Sequence, residues 1–129
     1  MMKRDRVVQR WLDRAADRLN LGGWAIHFDP IPCEGDEEAS VLTSETQHAY
    51  IRVSKRFWDF SPEYQRHVLT HELCHLYTTR IREFCESLHT CMSKKSALLA
   101  EDLLTKAEEH AVENFARIAA PLLPLIGEE

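Results

Sequence analysis

The pattern of apolar residues predicts an α+β domain, with helices at both ends and a small sheet between them. Three observations carry this. Over residues 5–20, Val8, Trp11, Ala15 and Leu19 recur at three- and four-residue spacing, which lines one face of a helix. In the middle, WAIHFD (24–29) and QHAYIRVS (47–54) alternate apolar with polar residues, as half-buried strands do. Beyond residue 60 the chain carries two sets of helix start and stop signals. A chain of 129 residues suits one domain, 1–129, with one core.

The elements follow in order. NLGG at 20–23 is expected to end the first helix, because glycine accepts the left-handed conformation at a helix C-terminus. In the first strand Trp24, Ile26 and Phe28 face one way and Ala25, His27 and Asp29 the other, until Pro30 and Pro32 stop it. EGDEE (34–38) is a polar turn, and ASVLT (39–43) is a short second strand. The third strand, 47–54, puts Ala49, Ile51 and Val53 on one face and is expected to pair with the second as a hairpin. The expected sheet is three-stranded and mostly antiparallel.

KRFWDF is a connector with aromatic anchors. Ser61-Pro62-Glu63 then starts a helix: an N-cap serine, proline in the first turn, and an acid near the positive end of the dipole. That helix is expected over 62–79. Residues 82–92 are ambiguous, and Ser96 is expected to cap a long helix that Pro121 ends near Ala120. The apolar tail PLLPLIG should fold back on the body.

Composition narrows the partners. The net charge of −5 argues against a phosphate backbone as the main partner, since such affinity comes from cationic patches. No run of about 20 apolar residues spans a membrane, and no secretory signal precedes the first helix. The expected setting is cytoplasmic, with Cys33, Cys74, Cys85 and Cys91 as reduced thiols. No glycine-rich phosphate loop is present, which speaks against nucleotide chemistry.

The chemistry concentrates in VLTHELCHLY at 68–77. On a helix, positions i and i+4 are neighbours, so His71 and His75 can aim both imidazoles at one ion. Glu72 is turned about 100° from His71, close enough to reach a water on that ion without ligating it. This is the arrangement metal-assisted hydrolysis needs. Zinc lowers the pKa of the water, and the carboxylate takes its proton and passes it to the leaving amine.

A catalytic zinc site usually has three protein ligands. The pattern HExxHxxGxxH is excluded, because Thr78 and Ile81 stand where it needs glycine and histidine. His89, His110 or a downstream carboxylate remain. Glu109 and Glu113 lie four apart on the long helix, offering one carboxylate for the metal and one to hold a liganding histidine. Glu108 competes with Glu109. Candidate donors to a developing oxyanion are His89, His110 and Tyr77, with His67 and Tyr64 also available. A structural zinc site from Cys74, Cys85, His89 and Cys91 lacks the paired C-x2-4-C knuckle.

HELCH followed by E-x-x-V-E at 109–113 resembles the gluzincin metallopeptidases, and more narrowly their small cytoplasmic members from phage and other mobile elements. Residues 109–121 also resemble the ImmA/IrrE-type helix, in which the metal glutamate precedes a Phe-Ala pair and a proline: here Glu109, Phe115–Ala116 and Pro121. The resemblance implies a small zincin-like domain with zinc held by His71, His75 and Glu109. It implies Glu72 as general base and Glu113 as support. It also implies that strand 47–54 is the sheet edge beside the cleft, where a peptide or protein substrate adds as a further strand. The expected activity is that of a zinc metalloendopeptidase. The competing expectation is a non-catalytic zinc-binding module of a phage or regulatory assembly, with Trp24, Trp58 and the tail as its partner surface.

Overall fold

The computed structural model describes residues 2–128. The elements are α1 (Lys3–Arg18), β1 (Ala25–Phe28), β2 (Ala39–Thr43), β3 (His48–Val53), a 3-10 turn at Lys55–Asp59, α2 (Pro62–His89) and α3 (Lys94–Ala119), with a last 3-10 turn at Ala120–Leu122. The class is α+β, as expected. No helix among the described residues is long and apolar enough to cross a membrane.

The stripe on α1 is buried at Val8, Trp11, Leu12 and Ala15, against a core that includes Ile51, Phe57, Leu69 and Leu73. The residue that turns the chain after α1 is Asn20, at φ 59°, and not a glycine of NLGG. Asparagine tolerates this region through its short polar side chain. The tail does return to the body. Leu123 is buried, its carbonyl accepts from Arg66 Nη1 at 3.0 Å, and the carbonyl of Pro124 accepts from the indole of Trp11 at 2.8 Å. Trp11 is fully buried, so Trp11→Phe should cost about 1–2 kcal/mol through the lost bond and stranded carbonyl, read by urea denaturation.

The sheet corrects the expected topology. Its order is β1-β3-β2. β2 and β3 form the expected antiparallel pair, but β1 lies parallel to β3. The sheet is therefore mixed, and strand 47–54 is central rather than an edge. The reason is the loop after β1. It runs past the end of β3, held by Asp29 N–H to Ile51 O (2.8 Å) and Cys33 N–H to Val53 O (3.1 Å), and delivers β2 to the far side. A substrate strand cannot add to β3, because both its sides are paired.

The two edges differ. Along β1, the Gln9 amide donates to Ile26 O (2.9 Å) and accepts from Phe28 N–H (2.7 Å), standing in for a neighbouring strand. Along β2, residues 38 and 44 exchange ladder bonds with β3. By antiparallel alternation Ala39, Val41 and Thr43 point their backbone N–H and C=O groups the other way. Nothing among the described residues takes them.

Two helix boundaries also move. α2 starts where expected, with Ser61 Oγ accepting from Tyr64 N–H at 3.2 Å, but continues to His89. RIREFCESLH contains no glycine or proline to stop it. Arg82 fastens this extension to α3 through Glu101 (2.9 Å), Thr105 (2.7 Å) and Glu108 (3.1 Å). α3 is capped by Ser93, which accepts from Ser96 N–H, three residues before the expected cap.

Candidate metal centre

α2 and α3 face each other along the stretches that carry HELCH and EEHAVE, and the site is built between them. His71 and His75 are one turn apart, with ring centroids at 5.1 Å and planes at 70°. The Glu109 carboxylate spans both. Its Oε2 is 3.2 Å from His71 Nε2, and its Oε1 is 3.1 Å from His75 Nε2. Behind the rings stand two more carboxylates, with Glu113 Oε1 3.5 Å from His71 Nδ1 and Glu108 Oε1 3.9 Å from His75 Nδ1. Each imidazole thus presents Nε2 forward with an acid on its Nδ1 side, at the limit of hydrogen-bond range for His71 and in ion-pair range only for His75, the side from which a metal-binding histidine is usually oriented.

Glu108 and Glu109 are separated by their commitments. Glu108 is nearly buried and accepts from Thr78 Oγ1 (2.8 Å) and Arg82 Nε (3.1 Å). Glu109 is half-exposed and turned to the histidines. Glu113 reaches further along α2 and accepts from His67 Nε2 at 2.7 Å. Burial works against its ionisation, but the hydrogen bonds and charge of His67 and His71 outweigh that and lower its pKa. Burial also pushes the pKa of His75 down, against the pull of Glu109. That favours the neutral ring, the form that ligates a metal.

Glu72 sits on the core side of the same turn. It is 9% exposed and makes no hydrogen bond among the described residues. Burial raises its pKa from 4.5 to about 7, with Glu109 and Glu37 adding to the shift and His71 opposing it. A carboxyl that titrates near neutrality suits a general base.

The ligand atoms of His71, Glu72 and His75 lie within 4.8 Å of one another, as do those of His75, Glu108 and Glu109. The chain therefore holds a group of side chains able to bind a metal ion. Its donors, imidazole nitrogens and carboxylate oxygens, are of the kinds zinc accepts, and Glu109 brings one oxygen to 3.1 Å from His75 Nε2 and the other to 3.2 Å from His71 Nε2.

The group opens into a cleft of about 470 Å³ between α2, α3 and the free edge of β2, with Ala39, Val41, Thr79 and Arg82 on its walls. A recess of about 260 Å³ adjoins it at Glu38, Tyr64, His67 and Glu113. There the Tyr64 hydroxyl donates to Glu38, which raises the tyrosine pKa to about 12.

None of the three leading oxyanion donors lies in the cleft. Tyr77 donates its hydroxyl to Leu19 O and sets its ring against Phe115. His89 is fourteen residues beyond His75, about 21 Å along the helix, beside Glu101. His110 is exposed outside the cleft. The groups that border the site are His67 and Tyr64. Sequence reasoning gave Glu108 only as a rival ligand, missing its place behind His75, and did not find Glu37 at the rim. Cys74, Cys85, His89 and Cys91 form no metal group among the described residues.

Compared with known proteins, the chain matches no family profile, no curated protein and no solved structure.

Proposed function

We propose that the chain is a zinc-dependent metalloendopeptidase of gluzincin type on a small zincin-like fold, with His71, His75 and Glu109 holding the ion. The observation that carries this reading is the Glu109 carboxylate, placed between the Nε2 atoms of both histidines beside a buried, unpartnered Glu72. Bound there, zinc supplies Lewis acidity to the peptide carbonyl and the attacking water. Glu72 accepts a proton from that water at its carboxylate and returns it to the leaving nitrogen. His67, held by Glu113, and Tyr64 border the recess where a donor to the carbonyl oxygen would stand. The free edge of β2 binds the substrate extended, through the backbone groups of Ala39 and Val41.

Metal analysis with peptide cleavage followed by mass spectrometry tests the reading. About one zinc per chain and hydrolysis that a chelator abolishes are expected. Zinc with no hydrolysis of any peptide would leave the non-catalytic module. Glu113→Ala should retain the fold but weaken zinc about 10–100-fold, measured by competition with a chromophoric chelator.

A further inference from the structure

The cleft walls are charged unevenly. Around the cleft and its recess stand Glu37, Glu38, Glu72, Glu108, Glu109 and Glu113, and the one Lys or Arg among the lining residues is Arg82. Arg82 is spent on Glu86, Glu101 and Glu108. Most of the acids are committed too: Glu38 to Tyr64, Glu108 to Thr78 and Arg82, Glu109 and Glu113 to the histidines. Glu37 is exposed, and its carboxylate has no hydrogen bond or ion pair among the described residues.

It stands just before the strand. Ala39, Val41 and Thr43 pair with Val53, Ile51 and Ala49, whose side chains are buried, so these odd-numbered residues face α2. The Ser54 N–H to Glu38 O bond (2.9 Å) continues the ladder back beyond Ala39. The chain bends at Glu38, and Glu37 lines the cleft together with Ala39 and Val41. Its charge is felt at Glu72. A peptide added to the β2 edge passes Ala39, beside Glu72, and then Glu37, two residues on.

We propose that Glu37 selects a substrate with a lysine or arginine within two or three residues of the scissile bond. The inference rests on the peptidase reading of the same site and adds its substrate class. The contact is at a solvent-facing rim, so its effect is modest and screened by salt.

The test uses alanine-based peptides that differ only in carrying Lys, Gln or Glu at successive positions around the cleaved bond. They are cleaved by the zinc-loaded wild type and by Glu37→Gln and Glu37→Arg. Binding of the same peptides to Glu72→Gln protein, with and without Glu37→Gln, is followed by fluorescence anisotropy. At one position the wild type should favour Lys over Gln by about fivefold in kcat/KM and in binding, as a single rim ion pair provides. The preference should vanish in Glu37→Gln, turn toward Glu in Glu37→Arg, and weaken in high salt. Cleavage with no basic preference, or a preference unchanged in both variants, overturns the role of Glu37 and leaves the peptidase standing. No cleavage of any peptide by the zinc-loaded wild type overturns the peptidase reading and this inference together.

Discussion

Glu72→Gln is expected to keep zinc and lose about 10²–10⁴-fold in hydrolysis, the range a positioned general base contributes. Glutamine fills the same space beside His71 but takes no proton. The substitution should also stabilise the metal-free protein, and the sign follows from burial. The Glu72 pKa is about 7 in the fold against 4.5 unperturbed, so on raising the pH the unfolded chain ionises first. Native stability falls between about pH 4.5 and 7 and stays lower above. The full penalty is about 3 kcal/mol. In chelator at pH 8, Glu72→Gln should unfold at higher urea than wild type, and below pH 4 the difference should disappear. An equal difference at both pH values would mean that the ionised carboxylate is not what destabilises the fold.

Glu109→Ala should lower zinc affinity by more than about a hundredfold, since even the partners behind a ligand cost 10–100-fold. A metal that binds only the folded state stabilises it by about 4 kcal/mol at a thousand times its Kd. At the same zinc concentration most of that is lost, which for a chain of this size is a fall in Tm of roughly 10 °C. Without metal, the half-exposed Glu109 should be removable within about 0.5 kcal/mol. Glu108→Ala should behave in the opposite way. It removes one acceptor from Thr78 and one from the partly buried Arg82, so its cost appears in the metal-free protein. If Glu109→Ala retained tight zinc while Glu108→Ala lost it, the third ligand would be Glu108.

Local signals read from the sequence survive where the physics is local. Ser61-Pro62-Glu63 starts α2 because a cap, a fixed φ and a dipole charge all act within one turn. The i, i+4 spacings of His71 with His75 and of Glu109 with Glu113 place those side chains on shared faces, and the antiparallel α2–α3 packing brings the faces together. The same geometry turns Tyr77, expected as a candidate donor, away from the site: two residues past His75 is about 200° around the helix, and its hydroxyl donates to Leu19 O. Other features depend on distant parts of the chain. The partner of β1 is set by how the 29–38 loop passes β3, and the cover on the β1 edge comes from Gln9, seventeen residues before Ile26. No spacing rule contains either. The end of α2 was misplaced because its last turns draw support from Glu101, Thr105 and Glu108, which come later in the chain.

The bond from Trp11 to Pro124 has a consequence for the order of assembly. It joins residues 113 apart in sequence, and it satisfies a fully buried indole on the first helix with a carbonyl near the end. During synthesis, α1 and the sheet can collapse early, but this donor stays without its native acceptor until the tail has left the ribosome. The native pairing of Trp11 therefore waits for a segment made 113 residues later. A nascent chain stalled before residue 124 should remain susceptible to protease even with every element of secondary structure already synthesised.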